Sequence, residues 1–309
     1  VLTKSQIEDA ANRIAGHVRT TPTVELPSGT FGLPYPVAAK LELLQVTGSF
    51  KPRGAFYRMI SSAPRSVIAA SGGNHGLAVA YAARELGIDA EVFLPVTSSP
   101  IKVARLNEYG ARVTLVGERY DDALTACRRR AAETGATEIH AYDQAEVVAG
   151  QGTVGRELDQ QLAGVDTVLV AVGGGGLVGG IAAWFDGSIR VVAVEPGNAP
   201  SLHDALRAGH PVDVGVSGVA ADSLGARRIG DIGFDVCVRT AVQSVLVEDD
   251  DIAAARRAFW DEMRLAVEYG GSTALAALRT GAYRPEPGER VAVVVCGANT
   301  DPGDLVARP

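Results

Sequence analysis

Thr167-Val168-Leu169-Val170-Ala171-Val172-Gly173-Gly174-Gly175-Gly176-Leu177-Val178-Gly179 reads as a strand, a glycine turn and the start of a helix. The first six residues are apolar or β-branched without alternation, which suits a strand covered on both faces in a parallel sheet. Four consecutive glycines then let the backbone turn sharply and approach a ligand closely. The helix that follows offers free N–H groups and the favourable end of its dipole to an anion. A phosphate is the natural guest. The loop lacks the Lys-Ser/Thr ending of a nucleoside-triphosphate loop. Gly174 to Gly179 does fit G-x-G-x-x-G, and Glu195 follows about 20 residues on, as a dinucleotide site requires. The loop alone therefore admits either a phosphorylated cofactor or a nicotinamide dinucleotide.

The same strand–turn–helix unit recurs on both sides. Val67 to Ala70 is a short apolar run ending in Ser71-Gly72-Gly73-Asn74-His75-Gly76, with a helix expected over Leu77 to Leu86. Strands are expected at Ala90–Leu94, Ala111–Val116, Arg190–Glu195 and Arg290–Val295, the last ending in Cys296-Gly297-Ala298-Asn299. Helices are expected at Ile101–Tyr109 and about Gly152–Leu162. The N-terminal helix shows a capping-box pattern at Ser5-Gln6-Ile7-Glu8 and a stripe of Ile7, Ala11, Ile14 and Val18. Such alternation predicts an α/β fold with mainly parallel sheets flanked by helices. Ligands of open parallel sheets bind beyond the carboxyl ends of the strands. Ser71–Gly76, Gly173–Gly176 and Cys296–Asn299 all occupy such ends. Ser71, Gly72, Gly73, Asn74 and His75 offer amides and side chains suited to a carboxylate. Asn74 also reads as the cap of the following helix, and His75 as an orienting hydrogen-bonder rather than a base.

The 309 residues, 47% hydrophobic, can bury a large core and exceed the usual size of one, so two lobes are expected. A net charge of -7 and the lack of a basic, aromatic-rich stripe argue against nucleic acid. No apolar run approaches the roughly 18 residues of a membrane span, and Val1-Leu2-Thr3-Lys4 shows no signal region. Three widely spaced cysteines, Cys127, Cys237 and Cys296, suggest neither a disulfide framework nor a zinc site and suit a reducing cytoplasm.

The chain holds 4 lysines against 25 arginines. One of them, Lys51, sits in Thr47-Gly48-Ser49-Phe50-Lys51-Pro52-Arg53-Gly54-Ala55, framed by a Gly-Ser-Phe turn and a Pro-x-Gly break. A solvated surface lysine needs no such framing. An amine that must condense with a carbonyl cofactor does, because it has to be fixed and partly uncharged. The stretch Lys40 to Ala55 resembles the cofactor-attachment segment of serine/threonine dehydratases (threonine ammonia-lyases). These are fold-type II pyridoxal-phosphate enzymes, related to serine racemase. The resemblance extends through Ala149-Gly150-Gln151-Gly152-Thr153 to Cys296–Asn299, nearly the whole chain.

That resemblance implies a two-lobed, tryptophan synthase β-like fold, with 66–143 as a small domain inserted into a large one of 1–65 and 144–309. It implies pyridoxal 5'-phosphate joined to Lys51 as an aldimine, with Phe50 flanking the ring and Gly173, Gly174, Gly175, Gly176 and Leu177 cradling the phosphate. Asn74 then touches the ring hydroxyl, Glu268 lies beside the ring, and Cys296 faces the pyridine nitrogen. Without the resemblance, Cys296 is simply a small buried residue at a strand end. Ser71 to His75 receive the substrate carboxylate. The implied reaction is β-elimination of L-threonine or L-serine to a 2-oxo acid and ammonia, in a cytoplasmic homodimer. The alternatives are an eliminase or racemase for a related substrate such as 3-hydroxyaspartate. From other classes come an NAD-dependent dehydrogenase and a non-catalytic cofactor-binding protein.

Several positions depart from the family pattern. Gly72 stands where serine racemases carry a second acid/base serine, which favours elimination. Leu77, Tyr269 and Asp222-Ser223-Leu224 differ near the expected substrate pocket. Glu195 is present, but Ser201 replaces the second carboxylate of the racemase metal site, so no tight metal is expected. The sequence given ends soon after Cys296, so neither a C-terminal regulatory domain nor isoleucine feedback is expected.

Overall fold

A six-stranded and a four-stranded sheet organise residues 2–306, the part of the chain that the computed structural model describes. The strands are β1 Thr23–Leu26, β2 Val37–Lys40, β3 Ser66–Ala70, β4 Asp89–Leu94, β5 Arg112–Leu115, β6 Thr137–Glu138, β7 Thr167–Ala171, β8 Arg190–Pro196, β9 Gln243–Val247 and β10 Val291–Val294. The larger sheet runs β1-β2-β10-β7-β8-β9 and the smaller β5-β4-β3-β6. β1 is antiparallel to β2, and the remaining pairs are parallel. Every residue of β2, β7 and β10 is buried, and all but Lys40 and Thr167 are apolar, as strands covered on both faces tend to be.

Register decides where the chemistry gathers. Val294 pairs with Lys40, and Val291 with both Val37 and Thr167, so β2, β10 and β7 end along one edge. The Lys51 segment follows β2, the glycine loop follows β7, and Cys296–Asn299 follows β10. From the smaller sheet, β3 delivers the Ser71–Gly76 turn.

The N-terminal helix is Lys4–Ile14, and its capping box sits two residues earlier than expected, with Thr3 as cap and Gln6 as its partner. Its buried stripe is Ile7, Ala10 and Ile14; Val18 lies beyond the helix. The helix after β3 starts at Asn74, not Leu77, with Gly73 at the cap position and no side-chain cap. Asn74 is therefore free for other partners. The helix expected from Gly152 begins at Ala145 and ends at Gln161. It packs on the helix Gly176–Phe185 through glycines: a Cβ at Gly180 would lie 2.5 Å from the Gly152 nitrogen.

Beneath the Lys51 segment lies a buried ion network. Arg53 forks onto Glu42 at 2.7 and 2.8 Å, and its Nη1 reaches Glu157 at 2.7 Å. Lys40 meets Glu157 at 2.6 Å and also donates to Thr21 O and Gln161. Arg53, Glu42 and Lys40 are fully buried. Two cations and two carboxylates neutralise one another, and their hydrogen bonds offset the cost of leaving water. The network thus pins the first turn of the helix Pro52–Ser62, whose cap position is Lys51 itself.

Candidate active site

Lys51 is held from two sides. Ser49 forms an antiparallel bridge to Gly297, Phe50 N donates to Cys296 O, and Ala298 N donates to Gly48 O. The turn this demands places Thr47 at φ 63°, a left-handed conformation costly for a β-branched residue. The Lys51 ammonium lies 5.1 Å from the centre of the Phe50 ring, and Nζ donates to Ala141 O at 2.8 Å. Burial lowers its pKa to about 8, against the attraction of nearby Glu268. A substantial fraction of the amine is therefore neutral near physiological pH.

One cavity collects Phe50, Lys51, Asn74, Gly173–Gly176, Leu177, Glu268 and Cys296. Gly175 has φ +88°, a left-handed conformation suited to glycine, and stands just before the helix. Tyr142, Ser223 and Leu224 also line it. Tyr142 packs on the loop so closely that a Cβ at Gly174 would fall 2.1 Å from its ring. Tyr142 and Ala141 were not anticipated from the sequence. They follow β6, a strand of two residues too short to register as a strand end.

Asn74 Nδ2 donates to Glu268 Oε1 at 2.7 Å. Glu268 is buried, which pushes its pKa up to about 7, while the Asn74 hydrogen bond opposes the rise. Glu268 also occupies the cap position of the helix Tyr269–Thr280, without a side-chain capping bond, and lies so near Gly297 that a Cβ there would stand 2.0 Å from Oε1. Cys296 is buried, and burial raises its thiol pKa, so it stays neutral.

Within the Ser71–His75 turn, Asn74 alone lines the cavity. Ser71 Oγ accepts from Gly73 N at 3.3 Å within the turn. A Cβ at Gly73 would lie 3.9 Å from Asp222 O. At Gly72 a Cβ would meet Leu94 Cδ2 at 2.7 Å. The His75 side chain points inward, bonded through Nε2 to Ile139 O at 2.8 Å. Burial and then Lys51 push its pKa to about 3, so it stays neutral and orients the turn. Lys102 bridges to Asp222 at 2.6 Å beside the same turn.

Glu195 lies elsewhere. It accepts from Leu202 N at 2.7 Å, His203 N at 2.8 Å and Ser201 Oγ at 3.2 Å, closing the start of the helix Ser201–Ala208. A ribose-binding role is closed to a buried carboxylate so engaged. The dinucleotide alternative loses its acidic residue.

These residues fit a phosphorylated carbonyl cofactor: a partly neutral buried amine, a glycine cradle at a helix N-terminus, and polar groups around the space between. Residues 14–297 match the model of the pyridoxal-phosphate dependent enzyme family. The chain belongs to that family.

Its relatives agree. It is 37% identical over 307 residues to the phenylserine dehydratase of Ralstonia pickettii, covering 96% of this chain and 93% of that one. It is 37% identical to the L-threonine ammonia-lyase of Geobacter sulfurreducens, covering 96% and 75%. The structure of maize serine racemase superposes with a TM-score of 0.91 at 30% identity, covering 98% of this chain and 95% of that one. The chain is thus a fold-type II, pyridoxal-phosphate dependent lyase of the dehydratase, or ammonia-lyase, type.

Proposed function

We propose that this enzyme eliminates water from a β-hydroxy amino acid, L-threonine or L-serine in the first instance, releasing a 2-oxo acid and ammonia. The observation that carries this reading is the Lys51 amine, partly neutral and held at 2.8 Å from Ala141 O beside the glycine cradle. When bound, pyridoxal phosphate supplies an electron sink for the bonding pair of the substrate Cα–H. Lys51 anchors the cofactor and, once released by the substrate amine, takes the Cα proton on Nζ. The amides of Gly173–Gly176 hold the phosphate. The backbone of the Ser71–His75 turn receives the substrate carboxylate at the start of the helix Asn74–Leu86. Asn74 and Glu268, which line the same cavity, would flank the ring. Cys296, a neutral thiol lining the cavity, would face the ring nitrogen as a weak donor and would leave it largely unprotonated.

Elimination rather than racemisation follows from Gly72. Racemisation needs a second acid/base on the opposite face, and Leu94 fills the space such a side chain would take. The phenylserine dehydratase relative adds a bulkier β-hydroxy substrate worth testing. The proposed division into 1–65 plus 144–309 and an inserted 66–143 is supported by the smaller sheet, built wholly from Ser66–Glu138. A cytoplasmic homodimer completes the reading, supported by the family resemblance and by three unpaired, buried cysteines.

The test is a visible spectrum of the purified protein before and after L-threonine, L-serine or phenylserine, with 2-oxo acid followed in parallel. A cofactor band with oxo-acid release supports the reading. A band without release from any of the three removes the substrate assignment.

A further inference from the structure

Arg105 lies on the helix Pro100–Glu108, after β4, and has no part in the scheme above. Its Nη2 donates to Asn299 Oδ1 at 2.8 Å. Asn299 Nδ2 donates to Asn74 Oδ1 at 2.6 Å and to Thr47 O at 2.7 Å. Asn74 Nδ2 in turn donates to Glu268 Oε1 at 2.7 Å. A guanidinium can only donate, and an ionised carboxylate can only accept. Between two such ends, both amides have one allowed orientation. The Thr47 carbonyl demands the same orientation of Asn299.

We propose that Arg105 is a positioning residue for the reaction: through Asn299 it holds the Asn74 amide toward Glu268 and favours the ionised form of that carboxylate. The inference rests on the reading that Asn74 and Glu268 flank the cofactor ring. Arg105 is half-buried and has no carboxylate within salt-bridge distance among the described residues. Its charge is therefore not cancelled locally, and the polarised amides carry its influence inward. Five groups bear on Glu268 from the surrounding elements. The Asn74 side chain favours ionisation, as do the Asn299 backbone N–H, which Asn299→Ala leaves in place, and Lys51, ahead of the helix Pro52–Ser62. Asp222, on the turn Ala221–Leu224, opposes it. Cys296, after β10, is a neutral thiol. Arg105 acts with Lys51 and Asn74, against Asp222 and burial.

The experiment uses the holoenzyme with Arg105→Met, Arg105→Lys, Asn299→Ala and the Arg105→Met/Asn299→Ala double variant. Two readouts need only bound cofactor: the pH midpoint of the visible spectrum and the pyridoxal-phosphate Kd from titration of the apoprotein. In Arg105→Met the midpoint moves upward by roughly one unit, because a carboxylate that loses donors and a nearby cation binds its proton more tightly. The Kd weakens roughly tenfold, the scale of one charge-assisted hydrogen bond. Arg105→Lys restores most of both. In the Asn299→Ala background, Arg105→Met adds nothing further, as residues acting through one link require.

Two outcomes overturn the proposal. One is a wild-type midpoint and Kd in Arg105→Met with a change in KM alone, which makes Arg105 a substrate contact. The other is a full Arg105→Met shift that persists in Asn299→Ala, which makes the effect a through-space charge. Absence of turnover on β-hydroxy amino acids would sink the substrate assignment and leave both readouts intact.

Discussion

Lys51 Nζ donates to the backbone carbonyl of Ala141 across 2.8 Å, joining the segment after β2 of the larger sheet to the one after β6 of the smaller. A carbonyl partner orients the amine without supplying a negative charge that would keep it protonated. Burial then dominates, and the amine sits at about 8. An amine that must attack a carbonyl and later accept a proton needs this combination.

The first prediction follows from that amine. Lys51→Ala should lose the visible band of bound cofactor and reduce turnover by roughly a thousandfold or more. In the apoprotein, the rate at which added pyridoxal phosphate restores the visible band should rise with pH up to about 8 and level off above it, since only the neutral amine can attack the cofactor carbonyl. A pH–rate profile that is flat from 6 to about 9 would contradict the assignment of Lys51 as the titrating group.

The second prediction concerns Gly72 and Leu94. A serine at 72 should not convert this enzyme into a racemase, because its Cβ would lie 2.7 Å from the buried Leu94 side chain. Gly72→Ser should destabilise by about 1–3 kcal/mol through overpacking. Adding Leu94→Val should recover part of that loss, giving a double-variant cost below the sum of the singles. Racemisation of L-serine, read by chiral chromatography, should appear only in the double variant.

The third prediction tests the buried network. Arg53→Met should destabilise by about 3–5 kcal/mol, because it leaves the buried Glu42 carboxylate without its cation. Arg53→Met/Glu42→Gln should recover part of this by removing the orphaned charge. Urea unfolding midpoints would measure both. A single variant within about 0.5 kcal/mol of the parent would mean that the network adds little to stability.

The strand ends were legible because a parallel sheet writes its ligand loops immediately after apolar runs, and glycine is needed where the backbone turns toward an anion. The Ser71–Gly76 turn, the glycine loop and the Cys296 segment could thus be placed together from the sequence, whereas Lys51 joined them only through the family resemblance. Other features left weaker marks. β1 and β2 span 4 residues each, and β6 spans 2, too few to show a period. Tyr142 therefore had no visible strand before it. Asn74 resembled a helix cap because Asn is common there. Its actual partners, Glu268 and Asn299, lie 194 and 225 residues away along the chain, beyond the reach of local pattern. Glu195 has the spacing of a ribose ligand, yet tertiary packing turns it onto the next helix instead.

The last prediction is a pH dependence of stability carried by Glu195. Its carboxyl is fully buried, and burial raises its pKa from 4.5 to about 7, with the backbone donors of Leu202 and His203 opposing the rise. Between those two values the folded state binds the proton more tightly than the unfolded chain. Protonation therefore favours folding, and the contribution falls as pH rises from 4.5 toward 7. The difference amounts to about 3 kcal/mol at most. Glu195→Gln keeps the shape and removes the titration, though it gives up one of the two acceptors used by Leu202 N and His203 N. The variant should be less stable than the parent at pH 5, and the gap should narrow or reverse by pH 8. Chemical denaturation at both pH values decides it: a gap that stays constant would show that Glu195 is ionised throughout and that its two backbone donors outweigh burial.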